Sequence, residues 1–462
     1  LQLYENGRLA QVETIRDNLT REITGGGSPF LAFAERMRDR GFKNGMMDEF
    51  FLYDRVLSSS EITKLAGIAD KVNPADEISI FLQTAHQPTR NQFFALEKAR
   101  RDYGNQRKKI REIMVMKEMP GLRETHILER GHYANRGQVV HRASPEVLPP
   151  FPKGEPVNRL GLARWLTSAD HPLMARVTVN RYWQMIFGQG LVATSEDFGL
   201  QGKPPSHPDL LDWLARDFIS SGWNMHHLLK KMVLSSTYRQ ESKILPAAAE
   251  SDPENILLSR APAYRLPAEM IRDGLLAYSG LLHKKNGGPS TKPYDLKASF
   301  KPMNPDGAPN VYRRSVYTFW KRTAPTPVMM AMDASKRDVC AVRRERTDSP
   351  TQSLIMLNGT QFVEAARATA DALILAHGTD KPDLLIEEAF LRLTSRKPDP
   401  KEADILGRLL EEQKSYFVDG NQTQKFLEVG YHKAKSKDLP YLAAVTNLVS
   451  SLMNFDGTLF KR

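Results

Sequence analysis

Cysteine is nearly absent from this sequence of 462 residues, in which Cys340 is the single example. One cysteine cannot form an intrachain disulfide, a zinc site of several cysteines or the Cys-x-x-Cys-His motif that attaches haem covalently. Long apolar runs are missing too, since the longest, such as residues 372–376, are much shorter than the roughly 18 residues of a membrane-spanning helix. These absences exclude a disulfide scaffold, a c-type haem site in this chain and a bundle of membrane helices.

Familiar catalytic signatures are missing as well. The sequence has no Gly-x-Ser-x-Gly elbow, no His-Glu-x-x-His helix and no Gly-Lys-Ser/Thr after the glycines at 25–27. Asp197-Phe198-Gly199 matches a kinase magnesium motif, but neither a His-Arg-Asp loop nor a glycine-rich strand and loop accompanies it. No standard catalytic constellation can be named, so whether the chain is an enzyme stays open.

The composition is that of an ordinary soluble globular protein, with 41% apolar and 26% charged residues. The net charge of +11 is concentrated in two segments, with 12 basic against 6 acidic residues at 95–145 and 10 against 5 at 301–350. The first excess is typical of a solvated helix face. Because the first segment neither interleaves basic with aromatic residues on one face nor matches a recognisable module, we do not expect nucleic acid as a partner.

Helical patterns with clear start and stop signals fill the sequence after residue 157 and predict an all-α domain over 157–462. Asn224 is a predicted helix cap, and Pro208, Pro382 and Pro400 stand where proline starts a helix. The predicted helices there cover 160–167, 172–188, 208–221, 225–234, 267–282, 350–357, 361–376, 382–393, 400–416 and 441–454. Upstream, 67–144 is predicted as a helical connector and loop with a helix over 90–113, and the prolines of 145–156 predict a linker.

Two other segments interrupt the helical pattern. Residues 283–309 are rich in glycine and proline and predict a long loop, and the alternating apolar residues from Tyr312 to Trp320 favour a short strand or hairpin. In the upstream loop, His126, His132 and His141 could ligate a metal, because imidazole is a common ligand. Their spacings of six and nine fit no usual ligand pattern and arginines surround them, so we expect no metal there.

The basic segment before residue 350 suggests a binding site. Arg343, Arg344 and Arg346 directly precede Ser349-Pro350, a predicted helix start. Guanidinium groups beside the free N–H groups of a helix start would bind phosphate, sulfate or carboxylate, so these arginines and Ser349 form the predicted anion-binding site. In the alternative interpretation, the arginines pair with acids of the same region, namely Asp333, Asp338, Glu345 and Asp348.

Cys340 lies within the same segment, next to Val339 and Ala341. A lone cysteine among small apolar residues is typical of a core position, so we expect Cys340 to be buried. The alternative is a nucleophile activated by the basic residues around it.

The first 66 residues resemble the last third of a laminin-G/concanavalin-like jelly roll. The resemblance rests on LYENGRLAQV at 3–12, whose Asn-Gly is a favoured hairpin turn, and on GFKNGMMDEFFLYDRVLSSSEI at 41–62. It implies a partial antiparallel β-sandwich, with a strand at 46–52 and with Asp48, Glu49 and Tyr53 closing the fold. Because the sequence starts at Leu1 inside a predicted strand, we expect it to be the C-terminal part of a longer protein.

Residues 80–460 resemble the planctomycete-specific C-terminal domain of unknown function. Two of the blocks that carry the resemblance are NRLGLARWLTSADHPLMARVTVNRYWQMIFGQGLVATSEDFG at 158–199 and KRTAPTPVMMAMDASKRDVCAVRRERTDSPTQSLIMLNGTQFVEAA at 321–366. Proteins of that family are large and secreted, and carry cytochrome-c-like domains upstream. The resemblance implies an extracytoplasmic location in the periplasm or at the cell surface, with haem c on upstream domains and no cofactor in this chain. It supplies no catalytic residues.

Two functions follow as expectations for this mainly α chain. The first is a non-catalytic helical module that binds a ligand or partner, such as a polyanionic or sulfated glycan or an upstream cytochrome-c-like domain. The alternative is the substrate-holding part of a haem-dependent oxidoreductase acting on carbohydrate, in which the arginines would converge in one pocket with Asp333, Asp197 and a histidine such as His171 or His207. We favour the module, because no catalytic set can be named.

Overall fold

Helices dominate the computed structural model, which describes residues 2–13, 15, 46, 48–53, 55–110, 113–119, 121, 123–294, 303–322 and 324–461. The helices of this part of the chain are α1 (Ser59–Leu65), α2 (Pro74–Thr84), α3 (Gln87–Lys109), α4 (Arg159–Leu166), α5 (Met174–Phe187), α6 (Pro208–Ser220), α7 (Met225–Leu234), α8 (Pro246–Ser251), α9 (Ala268–Tyr278), α10 (Pro327–Ala331), α11 (Pro350–Asn358), α12 (Thr360–His377), α13 (Pro382–Thr394), α14 (Pro400–Tyr416), α15 (Gly420–Leu427), α16 (Leu439–Met453) and α17 (Asp456–Leu459). The strands are β1 (Tyr4–Glu5), β2 (Arg8–Leu9), β3 (Thr125–Leu128), β4 (Arg136–Val140), β5 (Tyr264–Arg265) and β6 (Phe460–Lys461), which pair as β1–β2, β3–β4 and β5–β6. The mainly α prediction is confirmed.

The chain divides into two units, Leu1–Val139 and Val140–Arg462. In the first unit, β1 and β2 form an antiparallel hairpin whose turn residues, Asn6 and Gly7, both have positive φ, as the Asn-Gly pair predicts. The Tyr4 hydroxyl bonds the Ser59 hydroxyl at 2.9 Å, so the hairpin rests on the start of α1. That helix begins at a capping box, in which Ser58 and Glu61 each accept the other's backbone N–H.

In the described part of residues 1–66, where a jelly-roll fragment is predicted, the structure shows one small sheet, the β1–β2 pair. Residues 16–45 lie outside the described residues, and the described part of 46–53, with Asp48, Glu49 and Tyr53, is exposed coil. The strand predicted at 46–52 is therefore wrong for these residues, because alternating apolar side chains make a strand only when a neighbouring backbone pairs with them. Small antiparallel sheets are what the structure has.

A hairpin replaces part of the loop predicted upstream of the prolines, since β3 pairs with β4 there. His126 Nδ1 donates to the Gly137 carbonyl across this hairpin at 3.0 Å, while His132 and His141 are exposed. In the same unit, the side chain of Asn73 accepts from Ala75 N–H and caps α2, which begins at Pro74. None of the described side chains of α2 and α3 is buried, so neither helix contributes to an apolar core.

The second unit contains two large apolar cores. One is formed by the facing sides of α5, α6 and α7 with Leu191 and Val192. The other is centred on α12 and α16, which pack against each other and against α9, α11, α13 and α14. Local signals set many of the helix ends, because Asn224 caps α7 and Asp399 forms a capping box with Glu402 at the start of α14. The short helices α8, α10, α15 and α17 were not predicted.

The strand or hairpin predicted for 312–320 is wrong. Asn310–Tyr312 and Ser315–Tyr317 are single 3₁₀ turns, joined to the loop before them by isolated bridges at His283–Arg313 and Thr291–Thr318. A strand needs a neighbouring backbone to pair with, and here the buried side chain of Arg272 on α9 donates to the carbonyls of Val311 and Arg313 instead.

The prolines of 145–156 lie in the second unit. Trp165 of α4 donates its indole N–H to the Pro149 carbonyl at 2.9 Å, and a Cβ on Gly161 would meet the Pro156 carbonyl oxygen at 2.0 Å. The proline-rich segment thus packs closely on α4, and glycine at 161 permits that approach. None of the helices in the described part of the chain is both long and apolar enough to span a bilayer.

Candidate functional site

A cavity of about 640 Å³ lies in the second unit, beside the α5–α7 core. Four stretches of the chain wall it: the end of α5 with the turn that follows, residues 203–206 before α6, residues 242–264, and Arg346. The walls are mostly apolar, with Trp183 and Phe187 stacked at a ring separation of 4.0 Å on one side. Its volume falls within the range of about 300–1,000 Å³ that is usual for small-molecule sites.

One wall is a loop that its own side chains hold in shape. Asp252 accepts from the N–H groups of Ile256 and Leu257 at 2.7 and 3.0 Å, and Arg260 donates to the carbonyls of Asp252 and Pro253. Leu258 has a φ of 59°, which is uncommon for a side chain of its size. The loop is therefore fixed before any ligand arrives.

Tyr264 of β5 joins this wall to the end of α5. Its hydroxyl lies 3.0 Å from the carbonyl oxygens of both Met185 and Ile186, which lie in the last turn of α5, and burial raises the pKa of the phenol. Gly188 follows α5 with a φ of 84°, and a Cβ there would stand 2.8 Å from the Tyr264 ring. Glycine at 188 is thus required both by its backbone and by the ring.

Arg346 lies over this ring, with Cζ 4.2 Å from the ring centre. No carboxylate of the described residues comes within ion-pair distance of its guanidinium, and none of their atoms accepts a hydrogen bond from it. Burial lowers the pKa of Arg346, and its neighbour Arg344 adds a smaller repulsion, although an arginine stays charged at neutral pH. A half-buried cation with unused donors therefore borders the cavity.

Positive charges outnumber negative charges among the described residues that line the cavity. Lys203 and Arg260 line it together with Arg346, against one carboxylate, that of Glu254. Lys461 of β6 lies near the same tyrosine, with Nζ 5.7 Å from the Tyr264 ring centre, and burial lowers its pKa. The described surroundings of Arg346 favour an anion.

The predicted anion-binding residues are only partly brought together. Arg346 lines the cavity, and Arg344 lies beside it at a small crevice but donates to Glu269 at 2.8 Å. Arg343 is exposed and does not line the cavity. Ser349 caps its own helix by accepting from the N–H of Gln352. The geometry therefore places one of the four predicted residues at the cavity, and whether any of them binds an anion stays a prediction.

The acids proposed as alternative partners also have other roles. One carboxylate oxygen of Asp333 accepts from the N–H and hydroxyl of Thr347 and from the side chain of Gln352, at 2.7–3.1 Å. Asp348 lies 4.0 Å from Arg265, which donates to the Thr347 carbonyl at 2.6 Å. These bonds fix the turn before α11, and they involve none of the three predicted arginines.

The expectation that Cys340 is buried is wrong. The thiol is exposed, in a coil segment where Val339 is exposed too. Small apolar neighbours in the sequence predict a buried position only when a helix or strand points their side chains into the core. The segment around Cys340 is neither helix nor strand.

The residues that an oxidoreductase site would have needed together lie in separate contacts. His171 accepts through Nδ1 from the N–H groups of Leu173 and Met174, and its ring meets Trp165 edge-on. Asp197 accepts from Gly199 N–H at 2.7 Å, and His207 Nδ1 lies 2.9 Å from the Ser206 hydroxyl. In the part of the chain that the structure describes, no group of three or more histidine, cysteine or acidic side chains is placed to hold a metal ion.

The sequence offered a weak signal for the cavity that its motifs did not capture. The walls are rich in glycine and proline, at Gly188, Gly190, Pro204, Pro205, Pro253 and Pro262. Such residues mark places where backbones approach closely, yet nothing local pairs Tyr264 with Ile186 or with Arg346.

Comparison with known proteins places the second unit in a family. The family described as "Protein of unknown function (DUF1553)", PSD1, matches residues 158–410, which is more than half of the chain and includes every residue that lines the cavity. No curated protein and no solved structure matches the chain. The chain belongs to the DUF1553 (PSD1) family.

Proposed function

We propose that the chain is a non-catalytic helical module that binds an anionic ligand in the cavity beside Arg346. The observation that carries the proposal is the guanidinium of Arg346, which is half-buried at the edge of a ligand-sized cavity and is held by an aromatic ring rather than a carboxylate. A cation in such surroundings has lost part of its hydration, so a bound anion regains free energy that water no longer supplies.

The fixed walls of the cavity support binding rather than catalysis. Tyr264 uses its hydroxyl on two backbone carbonyls, and Arg260 uses its guanidinium on two others, so neither group is poised to move a proton. Pre-formed walls reduce the ordering cost of binding.

The class of ligand and the setting belong to the same proposal. Acidic glycans are the proposed ligands, because the chain resembles a domain of secreted proteins and its first residues resemble the end of a laminin-G-like fold. The same resemblance supports an extracytoplasmic location beside cytochrome-c-like domains that would carry the haem.

Glycan binding by the full chain tests the proposal. Carboxylated and sulfated glycans on an array should retain the wild-type protein and lose Arg346→Gln. The matched control is Arg343→Gln, which removes the same charge from an exposed position three residues away and should bind as wild type does. Equal retention of wild type and Arg346→Gln on every acidic glycan would contradict the proposal.

A further inference from the structure

We propose that the cavity takes one carboxylate per ligand, held at the edge of the Arg346 guanidinium, on a ring-sized body with apolar faces. This inference rests on the proposed function and names the class of its ligand. Three observations carry it: the unused hydrogen-bond donors of Arg346, the number of unpaired guanidinium groups, and the chemistry of the walls.

The hydrogen-bond donors of Arg346 are unused among the described residues. Its Cζ lies over the Tyr264 ring, 4.2 Å from the ring centre, and no described atom accepts a hydrogen bond from the guanidinium. Because this contact is with an aromatic ring and not with an oxygen, the N–H groups of the guanidinium remain for a ligand. Two parallel N–H groups at one edge match the two oxygens of a carboxylate.

Among the described residues that line the cavity, Arg346 has the one guanidinium whose N–H groups donate to no other described residue. Arg260 also lines the cavity, but its terminal nitrogens donate to the carbonyls of Asp252 and Pro253 at 2.9 and 2.8 Å. Lys203 is exposed and offers a compact point charge rather than a fork. Glu254 adds a negative charge to the lining, which disfavours a second anionic group on the ligand.

The walls suit a body with apolar faces. Ile244 and Ile256 line the cavity and are 59% and 43% exposed, so a ligand there would cover large apolar side chains. Leu258, with the prolines at 204, 205, 253 and 262, continues the same surface. A chain with a sulfate on every unit would have to place hydrated charges against these groups, which costs free energy.

Binding measured by calorimetry on the full chain tests this class. The probes are glucuronate, an oligosaccharide that ends in glucuronate, and cyclohexanecarboxylate, each beside its neutral methyl ester, with a heparin oligosaccharide as the polysulfated probe. We expect each acid to bind at least about tenfold more tightly than its ester, the loss expected for one charged hydrogen-bond pair. This comparison needs no variant, so it stands even where a substitution impairs folding.

Variants separate the contribution of the paired N–H donors of Arg346 from the contribution of its positive charge. Arg346→Lys keeps the charge but loses the paired donors, and should weaken acid binding about tenfold with an unchanged unfolding midpoint. Arg343→Lys is the matched control and should change nothing. Glu254→Gln removes the opposing carboxylate and should strengthen the binding of every acid.

The outcomes distinguish this inference from the function on which it rests. Arg346-dependent binding that rises with the number of sulfates, while the three ring acids fail to bind, would overturn the single-carboxylate inference and leave anion binding standing. Equal binding of acids and esters would also overturn the inference. If no anionic probe binds in a way that depends on Arg346, the proposed function fails as well.

Discussion

Charged side chains have different surroundings at two places in the second unit. On the inward face of α12, Glu364, Arg367 and Asp371 are each 1–3% exposed, and every one makes hydrogen bonds to the backbone of 427–436. At the cavity, Arg346 is half-buried and has an aromatic ring instead of an acceptor. The first arrangement joins one segment to another, and the second leaves donors for something outside the chain.

Glu364 on the α12 face is a buried charge that its neighbours satisfy with hydrogen bonds. One carboxylate oxygen of Glu364 accepts from the Tyr312 hydroxyl and from the N–H groups of Tyr431 and His432, at 2.5–2.6 Å. Gly430 permits the approach, because a Cβ there would lie 2.2 Å from the Glu364 carboxyl carbon. The guanidinium of Arg346 differs from these groups, because no described atom accepts a hydrogen bond from it.

The largest expected effect comes from breaking the α12 face. Glu364→Ala leaves one hydroxyl and two amides without an acceptor and removes one of the negative charges near Arg367, so we expect a loss of about 3–5 kcal/mol in the free energy of unfolding. Urea denaturation measures it. Glu412→Ala, an exposed glutamate on α14, is the control and should cost no more than about 0.5 kcal/mol. Similar losses for the two variants would show that the α12 contacts add nothing.

A second, smaller effect tests the support of Arg346. Gly188→Ala places a Cβ 2.8 Å from the Tyr264 ring at a φ of 84°, and should cost about 2–3 kcal/mol and weaken ligand binding. Gly222 follows α6 with a φ of 71° and nothing within 4 Å of its missing Cβ. Gly222→Ala therefore carries the backbone strain alone, and should cost about 1 kcal/mol with binding unchanged.

Thermal unfolding and ligand titration of these two variants separate the effect of backbone strain from the effect of the contact between the new Cβ and the Tyr264 ring. Equal losses of stability and of binding would mean that the Tyr264 ring gives way freely and does not position Arg346. A loss of binding confined to Gly188→Ala would tie the backbone of α5 to the guanidinium through the ring.

The sequence predicted helices well where their signals are local. Asn224 and Pro400 lie beside the groups they cap or start, so residues 225–234 and 400–416 were predicted with the ends that the structure has. The failures at 46–52 and 312–320 have a different cause. A strand depends on a distant partner, and at 312–320 the buried side chain of Arg272 takes the carbonyls instead.

The candidate site was predictable only in part for the same reason. Charge density in the sequence singled out Arg346 together with Arg343 and Arg344, but the features that separate the three are long-range. Tyr264 is 82 residues away from Arg346, and Glu269 is 75 residues away from Arg344. A cluster of arginines in the sequence shows where positive charge lies. Contacts with residues far away in the sequence decide which arginine keeps unused hydrogen-bond donors.

Acid should weaken the α12 face. Burial raises the pKa of Asp371, but bonds from the N–H groups of Lys435 and Ser436, with help from nearby His432, bring it below its ordinary value. A carboxyl with a lowered pKa stabilises the fold above its ordinary pKa, and this contribution is lost as the pH falls through the lowered value.

Asp371→Asn tests that pH dependence. The free energy of unfolding, measured by urea titration between pH 6 and pH 3, should fall less steeply for this variant than for wild type. Asp404→Asn, an exposed member of a surface pair with Arg408, should follow the wild-type slope. Parallel slopes for all three proteins would contradict the role given to Asp371.

The smallest expected effect concerns Arg344, the predicted site residue that the structure pairs with an acid. Its bond to Glu269 is 2.8 Å long, but the two side chains are 44% and 20% exposed, and pairs in water contribute about 0–1 kcal/mol. Arg344→Ala and Glu269→Ala, alone and together, form a double-mutant cycle whose coupling should lie within that range and shrink in high salt. Ligand binding should change less than about threefold in Arg344→Ala, because the donors that matter belong to Arg346. If Arg344→Ala lost as much binding as Arg346→Gln, both guanidinium groups would contribute to the site, although Arg344 is paired with Glu269. The absence of an ion pair at Arg346 would then no longer identify the binding residue.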